Sequence, residues 1–182
     1  MKQECASIEL GYGVMRMDIA ILIGEALKFI FPAYCANGAP ILTGGGLPMD
    51  LGRKLCDGKP VFGKNKTFRG FFAGLIVGTF VGLIESVVFN YPVFFGLVTT
   101  LGALVGDLTG AFLKRRLDIQ PGGLLPVVDQ LDFVIGALAF ALPVFPYMLS
   151  LELAVTALII TPPIHFLMNY AAYKLGLKKN PW

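Results

Sequence analysis

The chain has 182 residues, 55% of them hydrophobic and only 15% charged, with a formal net charge of +3 and a mean hydropathy of +0.72. Soluble domains carry nearer a quarter charged residues, so this composition excludes an ordinary soluble enzyme. It places residues 1–182 in one integral membrane domain, for which no nucleic-acid partner is expected.

The opening stretch MKQECASIELGYGVMRMD has no apolar run after its first charge and is not expected to act as a cleavable signal. A spanning helix needs about 20 mostly apolar residues. Five candidates follow, at about 19–36, 67–89, 92–113, 128–148 and 151–174, with a kink expected at Pro162-Pro163 in the last. Glu25 and Lys28 stand at i, i+3 in the first span, where they can neutralise each other. In the second, Gly70, Gly74, Gly78 and Gly82 form a smooth stripe that lets another helix approach closely. Packing inside the bundle is its expected use, and a homo-oligomer contact is the second. Cys5, Cys35 and Cys56 follow no metal spacing and read as free thiols.

Loop charges orient the bundle. Arg53, Lys54, Lys59, Lys64 and Lys66 precede the second span, Lys114, Arg115 and Arg116 follow the third, and Lys174, Lys178 and Lys179 lie in the tail. The other two turns contain no Lys or Arg. The positive-inside rule puts the basic segments in the cytoplasm and the N-terminus outside, which agrees with an odd number of spans. The expected fold is an all-α integral membrane bundle of five transmembrane helices, multi-pass in the cell membrane, with a polar cavity facing the cytoplasm.

Within the first basic loop, GKPVFGKN (58–65) nearly spells the phosphate loop G-x-x-x-x-G-K-[ST]. Asn65 stands where a hydroxyl residue belongs and no strand precedes it, so a P-loop ATPase is rejected. What remains is an expected anion site, made of free backbone N–H groups with Lys64, Lys66 and Arg69 ahead of a helix N-terminus.

The strongest chemical signal is GDLTGAFLKRRLDIQPGGLLPVVDQLDF, residues 106–133. Asp107, Gly110 and Lys114 fall at i, i+3 and i+7 on one helix face. Asp107 then lies about 10 Å inward from Lys114. A carboxylate inside a span costs roughly 3 kcal/mol, so Asp107 should face a wet cavity, a cation or another helix. Asp129 and Asp132 open the fourth span, and a turn at Pro121-Gly122-Gly123 can fold them back beside Asp107. The blander alternative is that both simply favour a helix N-terminus. Oxygen-only ligands suit Mg²⁺ shared with substrate phosphates, and the bases Lys114, Arg115 and Arg116 point to a polyphosphate. In the fifth span His165, Asn169 and Tyr173 form a polar stripe, either hydrogen-bonded to another helix or lining the same cavity.

The pattern G-D-(six residues)-K-R-R, then P-G-G, then D-Q-L-D resembles the signature of the CTP-dependent phosphatidate cytidylyltransferase family. GKNKTFRG is similar to the family's second shared element. With PAYCANGAP and HFLMNYAAYKLGLKKNPW, the resemblance to the archaeal branch extends over nearly the whole chain. It implies transfer of CMP from CTP to 2,3-di-O-geranylgeranylglycerol 1-phosphate, an isoprenoid ether lipid phosphate in the bilayer, giving CDP-archaeol and pyrophosphate with Mg²⁺ as cofactor. Asp107 and Asp129 match the metal-binding aspartates, Asp132 the second acid of Asp-x-x-Asp, Lys114 and Arg115 the Lys-Arg pair, and Lys66, Thr67 and Gly70 the loop element. The implied catalytic set is Asp107, Asp129, Asp132 and Lys114. The expected substrate contacts are Lys66, Thr67 and Arg115 from the resemblance, and Lys64, Arg69, Arg116, Asn37, His165 and Asn169 from the residues themselves. The family's turn His is absent here, and Gln130 replaces its usual Arg.

Two rivals fit less well. A CDP-alcohol phosphotransferase needs D-x-x-D-G and two further acids on the same helix, whereas Phe133 follows Asp132 and the next acid is Glu152. An ion- or proton-coupled transporter using Asp107 and His165 would more often show paired broken helices in an internal repeat, and none is evident.

Overall fold

The computed structural model describes residues 2–120, 122–178 and 180, with side chains from residue 19 onward, so the Cys5 side chain, Pro121 and Lys179 lie outside it. Five α-helices follow in order: α1 (Lys2–Thr43), α2 (Phe68–Phe89), α3 (Phe95–Arg116), α4 (Val128–Val144) and α5 (Leu151–Lys174). A 3₁₀ turn, Pro146–Met148, links the last two. Stretches of α1 (Ile19–Thr43), α2, α3 and α5 are long and apolar enough to cross a bilayer. At 17 residues, α4 is about 25 Å long, and it packs mainly on α3 and α5.

Helix ends differ from the sequence expectation in four places, the first being that α1 begins at Lys2, 17 residues ahead of the expected span. The first helix does not stop at Ala36 but runs to Thr43 through Pro32 and Pro40, because α2 supports that extra turn. The Gly70 face meets the Pro40 ring, and Gly74 lies against the Ala36 carbonyl. Lys114, Arg115 and Arg116 form the last turn of α3 instead of a loop, where cations favour the negative end of the helix dipole. The fourth helix ends at Val144, four residues early, since Phe145 precedes Pro146 and takes φ −129°, ψ 53°, outside the α region that a following proline disfavours. Helix α5 runs unbroken through Pro162 and Pro163, with Ser150 Oγ capping Leu153 N–H at its start.

Glycines set the helix spacing. Gly78 sits against the Pro32 carbonyl and Thr100, and Gly82 meets the backbone of Gly96. The whole stripe is therefore used against α1 and α3, which is the packing inside the bundle given first among its expected uses. A further glycine row on α3 went unread in the sequence. Gly102 meets the Gly136 carbonyl of α4, Gly106 the Asp132 carbonyl, and Gly110 the Asp132 carboxylate. Backbone-to-backbone contact of this kind is what small residues allow, and here it brings the start of α4 onto Asp107.

The apolar centre is aromatic. Phe29 and Phe95 meet edge to face at 5.0 Å, Phe95 and Tyr91 at 4.8 Å, and Tyr34 and Phe133 at 5.4 Å. Tyr34 also donates to Thr161 Oγ1 at 3.0 Å, tying α1 to α5. Lys28 pairs with Glu25 at 2.5 Å, as the spacing predicts. Cys35 and Cys56 are free thiols.

Candidate active site

The loop between α1 and α2 is organised by a residue the sequence reading passed over. Asp50, only 6% exposed, accepts backbone N–H bonds from Gly52 at 3.0 Å, Phe62 at 3.1 Å and Gly63 at 2.7 Å. Burial alone would push its carboxyl up, but these donors outweigh burial and hold it below the usual carboxylate value. The near-match to a phosphate loop is thus corrected: N–H groups expected to receive an external anion already face the chain's own carboxylate.

Charge pairs fasten this loop to the end of α3. Arg116 reaches Asp57 Oδ2 and the Pro60 carbonyl, both at 2.5 Å, with its guanidinium 5.1 Å from the Phe112 ring centre. Lys59 donates to the Arg116 carbonyl at 3.0 Å and pairs with Asp118 at 2.7 Å. So docked, the loop lays Lys66 on Asp107, its ammonium 2.6 and 2.5 Å from the two carboxylate oxygens.

Two turns nearer the end of α3, Lys114 meets Asp129 at 2.7 Å. Asp129 also accepts the Leu125 N–H at 3.1 Å. The N-cap of α4 is Val127, at φ 68°, with no side-chain cap bond. A β-branched residue with positive φ is a strained outlier, and it directs the chain into α4 so that Asp129 faces Lys114. Neither acid occupies the N-cap, so side-chain capping does not account for them, while Asp129 does lie in the first turn of α4, where the helix dipole favours it. Asp132 lies against Gly110.

These side chains share one cavity of about 190 Å³, lined by Lys66, Asp107, Lys114, Arg115, Asp129 and Asp132, with Phe62 and Asn65 also on its wall. Arg115 is 7% exposed, and its Nε is buried without a hydrogen-bond partner among the described residues. A donor left unmet at such depth is costly unless a ligand meets it. An adjoining cleft of about 920 Å³ shares Lys66, Asp107, Lys114 and Asp129 and extends past Asn37, Lys64 and Thr67 to His165 and Asn169. Ile41, Phe71, Leu104, Leu108 and Phe166 add apolar walls to it, beside the polar Gln130, Lys178 and Asn180. The combination suits a molecule with a charged head and an apolar body.

Most predicted site residues therefore meet, and some take other parts. Thr67 lines the large cleft, but its hydroxyl caps α2 by accepting the Gly70 N–H at 3.2 Å. Arg69 is exposed and lines neither cavity; its side chain lies beside Gly46 of the loop. Arg116 is committed to Asp57 and Pro60 and lines neither cavity, so its role is to hold the loop. His165 lines the cleft, with its ring 5.8 Å from Phe133 and its Nδ1 3.3 Å from Asn169 Nδ2. Lys178 was read only as a topology signal, yet it folds back to donate to Asn169 Oδ1 at 3.0 Å. Asn65 and Phe62 were likewise not predicted as site residues.

The carboxylates on this cavity are hard-oxygen donors of the kind Mg²⁺ takes, one or two at a time, with water and substrate phosphate. Among the described residues no three His, Cys, Asp or Glu side chains form a ready-made metal cage.

Residues 19–182 match the family described as CarS-like: CDP-archaeol synthase. The chain is 46% identical to the CDP-archaeol synthase of Thermococcus gammatolerans, over 86% of this chain and 95% of that one. It is 45% identical to the enzyme of that name from Pyrococcus horikoshii, over 87% and 96% of the two chains. For Methanocaldococcus jannaschii the identity is 42%, over 88% and 98%. A solved structure of an intramembrane enzyme for archaeal membrane lipids biosynthesis superposes with a TM-score of 0.74 at 36% identity, covering 81% of this chain and 94% of that one.

Proposed function

The chain belongs to the CDP-archaeol synthase family, and on that premise we propose that its paired cavities carry out CTP-dependent cytidylyl transfer to an isoprenoid ether lipid phosphate, 2,3-di-O-geranylgeranylglycerol 1-phosphate. A lipid phosphate oxygen attacks the α-phosphorus of CTP. The bond from that phosphorus to the α,β-bridging oxygen breaks, CDP-archaeol forms, and pyrophosphate leaves with the bond's electron pair. No protein nucleophile is needed.

The observation that carries this reading is the convergence of Lys66, Lys114, Arg115, Asp107, Asp129 and Asp132 on one cavity that adjoins an amphipathic cleft. Two anionic substrates repel each other, so they react only where cations hold both in line. Lys66, Lys114 and the unmet Arg115 Nε supply donors for the nucleotide phosphates. Lys66 and Lys114 now bond Asp107 and Asp129, and exchange of those partners for phosphate frees the two carboxylates. Asp107 and Asp129 would then hold Mg²⁺, with Asp132 ordering them from beside Gly110. When bound, the ion would neutralise charge growing on the transferring phosphorus and the leaving pyrophosphate. The apolar walls receive the near ends of the lipid chains, whose remainder stays in the bilayer. The basic loop and tail support a cytoplasmic mouth.

The test is to incubate purified protein with α-labelled CTP, Mg²⁺ and the lipid phosphate. Label is expected in the organic-extractable lipid, with one pyrophosphate released per CDP-lipid. Release of CMP, or label in lipid without pyrophosphate, would rule the reaction out.

A further inference from the structure

We infer that Lys178, carried on the tail beyond α5 and steadied by Asn169, binds the phosphate of the lipid substrate. The assignment rests on the cytidylyltransferase reading and adds to it a division of labour between the two cavities.

The geometry begins with Asn169, only 7% exposed. Its amide is oriented by two neighbours: Oδ1 accepts from Lys178 at 3.0 Å, and Nδ2 approaches His165 Nδ1 at 3.3 Å. This fixes the Lys178 ammonium on the wall of the large cleft, which it lines with His165 and Phe166. Lys178 does not line the small cavity, whereas Lys66 and Lys114 line both. The cations therefore divide by position. Arg115 belongs to the small cavity alone, Lys66 and Lys114 to the junction, and Lys178, with Lys64, to the large cleft alone.

Electrostatics agree with this placement. Burial pushes the Lys178 ammonium below its ordinary pKa, Asp129 opposes that, and Lys114 and Lys66 add to it. Lys178 thus feels the junction charges across the cleft. An incoming phosphate would relieve both its burial and its repulsion from the other lysines. The surroundings bear on which phosphate: the cleft that Lys178 lines also carries the apolar side chains Phe166, Ile41, Phe71 and Leu177. A monoester phosphate on an apolar body finds both a cation and apolar walls there. Phosphate held at Lys178 would also lie across the junction from the α-phosphorus, the arrangement an in-line displacement needs.

The test separates the KM values of the two substrates. Loss of one charge-assisted bond to phosphate corresponds to roughly 10- to 100-fold. Lys178→Gln is therefore expected to raise KM for the lipid phosphate by about that factor, while KM for CTP stays within about twofold. Lys178→Arg should recover most of the lipid affinity. Asn169→Ala, which releases the ammonium from its rest, should raise the lipid KM less than Lys178→Gln does. CTP binding to Lys178→Gln, measured without lipid, shows whether the variant is folded and should match the unaltered protein. A lipid KM within twofold of the unaltered protein, or an equal rise in the KM for CTP, overturns the assignment. If the unaltered protein itself forms no CDP-lipid, the reaction reading fails first and the Lys178 assignment falls with it.

Discussion

Asp107→Asn is expected to leave a folded protein that has lost CDP-lipid synthesis by about 10²- to 10³-fold or more in kcat/KM. The substitution keeps shape and removes one charge. Asp107 now bonds Lys66 through both oxygens at 2.6 and 2.5 Å, with the two side chains only 28% and 24% exposed. A neutral amide can still accept from Lys66, so the loop stays docked through Arg116 and Lys59. What the amide lacks is the negative charge that holds a hard cation tightly against a triphosphate.

A second explanation for the same loss is that Asp107 only neutralises Lys66, and the double variant separates the two. If neutralisation were its sole part, Lys66→Met combined with Asp107→Asn would restore activity by removing both charges. The metal-holding account expects the pair to be no better than Asp107→Asn alone, because residues acting as a unit are grossly non-additive. Recovery in the double variant would reduce Asp107 to a counter-ion.

The second large effect comes from the α3–α4 contact. A Cβ at position 110 would fall on the Asp132 carboxylate, whereas one at position 106 would fall on the Asp132 backbone carbonyl and lie 3.1 Å from the Gly136 Cα. A side-chain oxygen can move, and a helix backbone cannot without separating the helices. Gly110→Ala is therefore expected to fold with modest loss of stability but to displace Asp132 and lower kcat/KM by tenfold or more, about 1.4 kcal/mol in the barrier. Gly106→Ala should instead cost stability, about 3 kcal/mol at the upper end for overpacking, seen as a lower midpoint of thermal unfolding in lipid. The account is wrong about this seam if both variants lose stability equally while Gly110→Ala keeps full activity.

The register argument from Asp107 to Lys114 needed only helical periodicity, and both residues do line one cavity. The convergence of Asp129 with them was also legible, because a 15-residue separation and a glycine turn leave the chain few ways to travel. The row Gly102, Gly106, Gly110 has the same four-residue period as the stripe on α2. Its meaning emerges only once α4 is seen to present Gly136 and Asp132 to it.

Other features depend on contacts between distant segments and leave no local pattern. Asp50 bonds N–H groups as far as 13 residues away, and no periodicity signals an acid that substitutes for an anion in a glycine-rich loop. Arg116 reads like Lys114 and Arg115, yet it points to Asp57, 59 residues back. Its neighbour Arg115 is turned inward by the 100° step of the helix. The role of Lys178 depends on the tail folding back one turn past α5, which a basic tail does not announce.

The most direct measurement is anomalous scattering from Mn²⁺ replacing Mg²⁺ in crystals grown with CTP. A peak about 2.1 Å from oxygens of Asp107 and Asp129, with Lys66 and Lys114 moved onto nucleotide phosphates, is the predicted result. Mn²⁺ located elsewhere, with both carboxylates still bonded to their lysines while CTP is bound, would contradict it.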